Sequence, residues 1–167
     1  MDTSHSFDRW LYRGGRPHRV ARVLNAAWAT LAGAGLAPER LVRLEVTGRR
    51  SGRTISLPVV VAEHMDERYL VSMLGDDAGW VLNVRAAGGR AVLCHRDREE
   101  VQLDEVDPRE RGPILRRYLE CSPGARSHIV VDEGAPVEAF RDAAAHVPIF
   151  RIRSRSAALQ AAHARRA

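Results

Sequence analysis

The sequence contains no lysine, so all 26 of its basic residues are arginine. Against 21 acidic residues this gives a net charge of +5. A guanidinium stays charged at any ordinary pH and holds a phosphate or carboxylate through two parallel hydrogen bonds. The charge balance therefore favours an anionic partner, and nucleic acid, anionic lipid and a cofactor with phosphate and carboxylate groups all fit.

Aromatic residues and cysteine are also scarce. With three each of Phe, Tyr and Trp in 167 residues, the core of this single globular domain must consist mainly of Val, Leu, Ile and Ala. Cys94 and Cys121 lie far apart without metal-ligand spacing, and the seven histidines form no paired motif. We therefore predict reduced thiols and no metal site.

The sequence lacks a long uninterrupted apolar run. The apolar stretch over residues 23–37 is broken by Asn25 and Thr30 and is shorter than the roughly 20 residues of a membrane span. Residues 1–20 are polar and rich in arginine, so we expect no signal peptide. We predict a cytoplasmic protein and leave open a peripheral membrane contact through residues 23–37.

Familiar nucleotide and nucleophile motifs are missing as well. The GAGLAP segment, residues 33–38, follows a predicted helix and lacks the third glycine of a dinucleotide fingerprint. The sequence contains no Walker motif, and no serine or cysteine lies in a nucleophile turn. These absences argue against a Rossmann site, a P-loop and a hydrolase triad.

The apolar periodicity predicts about six strands arranged as hairpins, with three or four flanking helices. The predicted strands cover residues 41–46, 54–62, 69–74, 90–95, 99–106 and 148–153. The predicted helices cover residues 20–31, 80–86, 107–120 and 137–144, with a frayed helix over 156–167. Because the pattern has no βαβ alternation, it favours an α+β or mainly β architecture, an antiparallel barrel or strongly curled sheet.

The domain organisation follows from this pattern. We expect an arginine-rich lead-in and helix over residues 1–40, a barrel over 41–153 and a tail over 154–167. Pro58 lies in the middle of the second predicted strand. Because proline cannot donate to a strand ladder, it marks an edge, a bulge or the wall of a groove.

Residues 47–60, TGRRSGRTISLPVV, form the first segment that indicates a binding site. Three arginines and two glycines at a strand end can present guanidinium and backbone N–H groups to a polyanion. The strand that follows is apolar and suited to lining a flat ring. Taken alone, the turn also fits an ordinary solvated surface or a contact with nucleic acid. Because residues 47–53 contain no aromatic residue on which a base could stack, we expect no nucleic-acid partner.

Residues 71–85, VSMLGDDAGWVLNVR, form the second such segment. A flexible loop that enters a helix can bring backbone N–H groups to an anion at the helix start. Trp80, within this segment, fits a core aromatic equally well on local evidence.

Four segments carry a family resemblance when they are taken together: TGRRSGR, LPVVV, YLVSMLG and GWVLNVRAAGGRA. They closely resemble the deazaflavin-dependent nitroreductase family, a nitroreductase and quinone reductase-like group. The PRERGPILRRYL and VPIFRIR segments are similar to that family too, so the resemblance covers roughly residues 40–153. It implies a split antiparallel β-barrel, related to FMN-binding barrels, that binds coenzyme F-420.

The resemblance also implies which residues bind the cofactor. In the family, one turn binds the phosphate and glutamyl tail of the cofactor, and its residues match Arg49, Arg50 and Ser51 of this sequence. Matches to the strand beside the deazaflavin ring are Ser56, Leu57, Pro58 and Val59. Matches to the cofactor-facing end of the next strand are Ser72, Met73 and Leu74, and matches to the closing loop and helix are Gly79, Trp80 and Asn83.

The chain departs from the family pattern at two places. Many members have a lysine and a longer loop at the place where this chain has Leu74, Gly75, Asp76 and Asp77. Two carboxylates beside an anionic cofactor oppose its binding unless they point away. Residues 123–126 offer no match for the tyrosine that some members place over the substrate. The resemblance therefore does not identify the hydride acceptor of this chain.

The resemblance implies an oxidoreductase that transfers hydride from the reduced deazaflavin to a quinone, nitroaromatic or activated alkene. The cofactor carries the chemistry in such enzymes, and we identify no catalytic acid or base. The alternatives are an FMN- or haem-binding barrel of the same fold and a non-enzymatic binder of an anionic macromolecule or membrane surface. Monomer and homodimer both remain open.

Overall fold

The computed structural model describes residues 39–122, 125, 129, 131–132 and 134–155. The predicted helix over residues 20–31, the stretch considered for membrane contact and the tail helix over 156–167 lie outside these ranges. Within them, no helix is both long and apolar enough to cross a membrane.

Six antiparallel strands close into a barrel in the described part of the chain. They are β1 (Leu41–Thr47), β2 (Thr54–His64), β3 (Glu67–Val71), β4 (Arg90–His95), β5 (Asp97–Glu105) and β6 (Ile149–Ser154). Their order is β1-β2-β3-β6-β5-β4, and β4 pairs back with β1. The predicted six-stranded antiparallel barrel is confirmed.

Helices interrupt the strand sequence twice in the described residues. Helix α1 (Gly79–Ala86) connects β3 to β4, while a 3-10 turn (Pro108–Glu110), α2 (Arg111–Cys121) and α3 (Val137–Ala144) lie between β5 and β6. The Asp107 side chain accepts a hydrogen bond from the backbone N–H of Arg109. An aspartate cap followed by proline therefore starts the helical segment at the beginning of the predicted helix over residues 107–120.

Two apolar cores result from the alternation of side chains along the strands. Val42, Leu44 and Val46 of β1 point into the barrel, where Val81 and Val84 of α1 join them. The second core lies between the sheet and helices α2 and α3, with members such as Tyr69, Leu115, Tyr118 and Phe140. Full burial of each such side chain contributes about 1.5–3 kcal/mol.

The third strand was predicted three residues too long at its C-terminal end. β3 ends at Val71, where its pairing with β6 ends at Ile149. The backbone N–H of Ser72 still donates to the Pro148 carbonyl at 2.9 Å, but the Ser72 hydroxyl donates to the Gly75 carbonyl at 3.0 Å. These bonds direct the chain into a turn, so Met73 and Leu74 are turn residues and not strand residues.

Candidate functional site

The turn between β1 and β2 exposes three arginines at one end of the barrel. The Gly48 N–H donates to the Arg53 carbonyl and the Gly52 N–H donates to the Gly48 carbonyl, each at 2.8 Å. Gly52 adopts a positive φ of 66°, which only glycine takes without strain. Within the described residues, Arg49, Arg50 and Arg53 form no ion pair with a carboxylate, so the turn carries uncompensated positive charge.

Arg49 is fixed against helix α1. Its backbone N–H and its Nη1 both donate to Oδ1 of Asn83, at 3.2 and 2.9 Å, and Nη1 also reaches the Gly79 carbonyl at 3.4 Å. Asn83 is buried. Three residues predicted to bind cofactor are thus brought together, although 30 and 34 positions separate Arg49 from its two partners.

The other turn residues remain available. Arg50 and Ser51 are exposed, and the Ser51 hydroxyl accepts a hydrogen bond from the Arg53 N–H at 3.3 Å. This bond orients the hydroxyl toward the inside of the turn while leaving its own hydrogen free to donate. Arginine and hydroxyl donors therefore lie on the same short loop.

The predicted ring-binding strand presents two different faces. Leu57 and Val59 pack against the barrel core while remaining partly exposed. Ser56 and Pro58 lie on the opposite face, because successive side chains alternate along a strand. The four residues therefore do not form one continuous lining, and only the Leu57 and Val59 face belongs to the apolar interior.

The first half of β2 forms an edge of the sheet. Pro58 pairs with Arg43 of β1, whereas pairing with β3 begins only at Val61. Among the described residues no strand covers the other edge at Pro58. This confirms the interpretation of the proline as an edge residue.

The segment after β3, predicted to face the cofactor, forms a turn. Ser72 is 1% exposed and its hydroxyl donates to the Gly75 carbonyl, so this hydroxyl stabilises the turn. Met73 and Leu74 are 36% and 44% exposed. These two side chains offer apolar surface on the loop that enters α1.

Trp80 lies at the start of α1, partly buried on the barrel core. Its ring centroid is 5.5 Å from that of Phe150, with the planes tilted by 57°, a favourable aromatic geometry. No described side chain caps this helix, and its first turn holds no acidic residue. The first backbone N–H groups of α1, at the positive end of the helix dipole, therefore have no side-chain partner among the described residues.

Asp76 does not oppose an anionic ligand as a free carboxylate, because it is ion-paired. Arg85 Nη2 lies 2.6 Å from Asp76 Oδ1, and Arg85 also donates to both carboxylate oxygens of Glu105, at 2.9 and 2.7 Å. Hydrogen bonds to Glu105 and then to Asp76 raise the pKa of Arg85. Sequence reasoning missed Arg85 and Glu105, because a separation of 20 residues leaves no local pattern.

The donor set fits a cofactor with an anionic tail and a flat ring. Exposed guanidinium groups and a hydroxyl stand at the turn, and the partly exposed side chains of Leu57, Val59 and Trp80 provide apolar surface. The described residues contain no group of three His, Cys, Asp or Glu side chains placed to hold a metal ion. The guanidinium groups and the apolar side chains lie toward the same end of the barrel.

The family described as F420H(2)-dependent quinone reductase matches residues 21–137 of the chain. The match spans well over half of the sequence, so the chain belongs to this family. It is therefore an oxidoreductase that depends on coenzyme F-420 and acts on small molecules. A comparison with curated proteins gives no match.

Solved structures are similar to this chain at low sequence identity. A protein of unknown function from Agrobacterium tumefaciens is 14% identical, with a TM-score of 0.53 over 84% of this chain and 55% of its own. A structure described as a domain-swapped dimer is 17% identical, with a TM-score of 0.50 over 81% of this chain and 94% of its own. An F420-H2 dependent reductase is 17% identical, with a TM-score of 0.47 over 68% of this chain and 94% of its own.

Proposed function

We propose that the chain reduces a quinone with hydride from reduced coenzyme F-420, which is held at the barrel end formed by the β1–β2 turn, the start of β2 and the start of α1. The observation that carries this proposal is the docking of Arg49 on Asn83 and Gly79. It places a fixed guanidinium next to an uncapped helix start. Such an arrangement suits a phosphate-bearing ligand.

The tail of the cofactor is held by the turn. Arg49, already oriented by Asn83, and the exposed Arg50 and Ser51 supply hydrogen bonds to its phosphate and carboxylate groups. Asn83 acts through Arg49, because its Oδ1 is occupied by two hydrogen bonds from that residue. An arginine fixed before binding loses less conformational entropy when the ligand arrives.

The ring lies between the start of β2 and α1. Leu57, Val59 and Trp80 exclude water from its face. When bound, the reduced cofactor supplies hydride, while the protein supplies orientation and a dry surface. A quinone takes up one hydride and one proton, and we assign the proton to solvent, which reaches the exposed start of β2 at Ser56.

A quinone is the acceptor that best suits the surface beside this site. The exposed side chains of Met73 and Leu74 lie on the loop that leads into α1, and they offer contacts to a flat apolar molecule. The family description points to the same class of acceptor. Nitroaromatics are the alternative substrates to be compared directly.

The test is an anaerobic assay in which reduced coenzyme F-420 is mixed with enzyme and either menadione or a nitroaromatic, and the fluorescence of the oxidised cofactor is followed. We expect menadione to be consumed with the higher kcat/KM. Trp80→Ala should lower this kcat/KM by about tenfold, because the acceptor loses an aromatic wall of its pocket.

Met65→Ala provides the control. Met65 is 82% exposed in the turn between β2 and β3, at the opposite end of the strand from the arginine turn, and its replacement should leave kcat/KM unchanged. A wild-type enzyme that oxidises the cofactor with the nitroaromatic but never with menadione would overturn the choice of acceptor.

A further inference from the structure

A chain of ion pairs connects the loop before α1 to the body of the protein. Asp76 pairs with Arg85, Arg85 with Glu105, and Glu105 with the buried Arg111, at 2.6, 2.7 and 3.1 Å. Two carboxylates and two guanidinium groups cancel one another. The group as a whole therefore carries no net charge.

Asp76 lies close to the proposed site of the cofactor tail. It precedes Gly79 by three residues, and the Gly79 carbonyl accepts a hydrogen bond from Arg49. The Cα atoms of residues three positions apart are separated by at most about 10 Å, which is about one screening length at physiological ionic strength. A negative charge at Asp76 would therefore act on an anionic ligand held by Arg49.

Arg85 is held in place independently of Asp76. Its Nε and Nη2 atoms donate to the two oxygens of Glu105, a two-point geometry that fixes the plane of the guanidinium. Nη2 then also meets Asp76. This arrangement keeps the positive charge of Arg85 beside Asp76.

We propose that Arg85 neutralises Asp76 and so removes a repulsion that would otherwise weaken binding of the anionic cofactor. Arg85 is thus a positioning residue that acts through Asp76 without touching the ligand. The inference rests on the proposed location of the cofactor.

The test is a fluorescence titration with oxidised coenzyme F-420 at low salt, on wild type, Arg85→Met, Asp76→Asn and the double variant. Arg85→Met should raise Kd by about fourfold, the effect of one unpaired charge about 10 Å from a doubly charged ligand in water. Asp76→Asn should lower Kd, and the double variant should return to within about twofold of wild type. In about 1 M salt, screening should remove these differences.

Arg68→Met is the matched control. Arg68 also forms a two-point pair with a glutamate, Glu99, at 2.8 and 2.6 Å, but it lies at the start of β3, away from the arginine turn. Losing its charge should leave Kd within about twofold of wild type.

The outcomes separate three cases. If Asp76→Asn and Arg85→Met both weaken binding and the double variant shows no recovery, the pair merely tethers the loop and the inference is wrong. If wild type binds but all four proteins have the same Kd, the inference is equally wrong while the proposed function stands. If wild type does not bind the cofactor, the proposed function fails first.

Discussion

Replacing Arg49 and Arg50 together with alanine should weaken the binding of coenzyme F-420 by at least about a hundredfold. Each side chain is assigned a charge-assisted hydrogen bond to the tail, and such bonds contribute about 1.5–3 kcal/mol each. The structure gives Arg49 the larger part, because Asn83 and Gly79 hold it in place before the ligand arrives. Fluorescence titration of the oxidised cofactor measures the change.

The salt dependence of binding gives a second readout of the same variant. Removing two cationic contacts should make the affinity less sensitive to ionic strength, because fewer screened charge pairs remain. Arg116→Ala with Arg117→Ala is the matched control. These are also adjacent arginines, but they lie on α2, where Arg117 donates to the Glu63 carbonyl at the far end of β2. Equal affinities for the two double variants would contradict the assignment of the arginine turn.

The second large effect concerns stability. Arg111→Met should lower the free energy of unfolding by about 3 kcal/mol, as expected when one partner of a buried polar network is removed. The Arg111 side chain is 5% exposed. Its Nε donates to the Val106 carbonyl at 2.9 Å and its Nη1 to the Val147 carbonyl at 3.0 Å. Methionine fills the volume but leaves both carbonyls and Glu105 without this donor.

The test compares the denaturant unfolding midpoints of two variants, Arg111→Met and Arg116→Met. Arg116 is half exposed on the same helix, and its contact with Glu120 is long, at 3.9 Å. Such a surface pair contributes about 0–1 kcal/mol. Similar midpoints for the two variants would show that Arg111 does not join α2 to the ends of β5 and β6.

The barrel was predictable wherever one face of an element is buried. Apolar residues alternate over residues 41–46 in step with the side of β1 that faces the core, since a register slip would turn every apolar side chain to solvent. Likewise, Asp107 followed by Pro108 is a local signal at the start of the predicted helix over residues 107–120. The end of β3 could not be predicted from composition, because Ser72, Met73 and Leu74 are compatible with a strand. The strand ends at Val71 because its pairing with β6 ends there.

The candidate site was predictable to a smaller extent. The resemblance grouped Arg49, Gly79 and Asn83, and the structure brings them together, but nothing in their spacing indicates that Asn83 orients Arg49. The separation of Leu57 and Val59 from Ser56 and Pro58 follows from the two-residue period of a strand. The pairing of Arg85 with Glu105 depends on how α1 lies against the end of β5, which no local pattern encodes.

The most direct test of the account is a fluorescence titration of the wild-type protein with coenzyme F-420, with FMN titrated in parallel. Because the turn offers several cationic groups to a long anionic tail, we predict saturable binding of F-420 at micromolar concentration or tighter. FMN, with a single phosphate, should bind much more weakly. Binding of FMN alone, or of neither cofactor, would contradict the account.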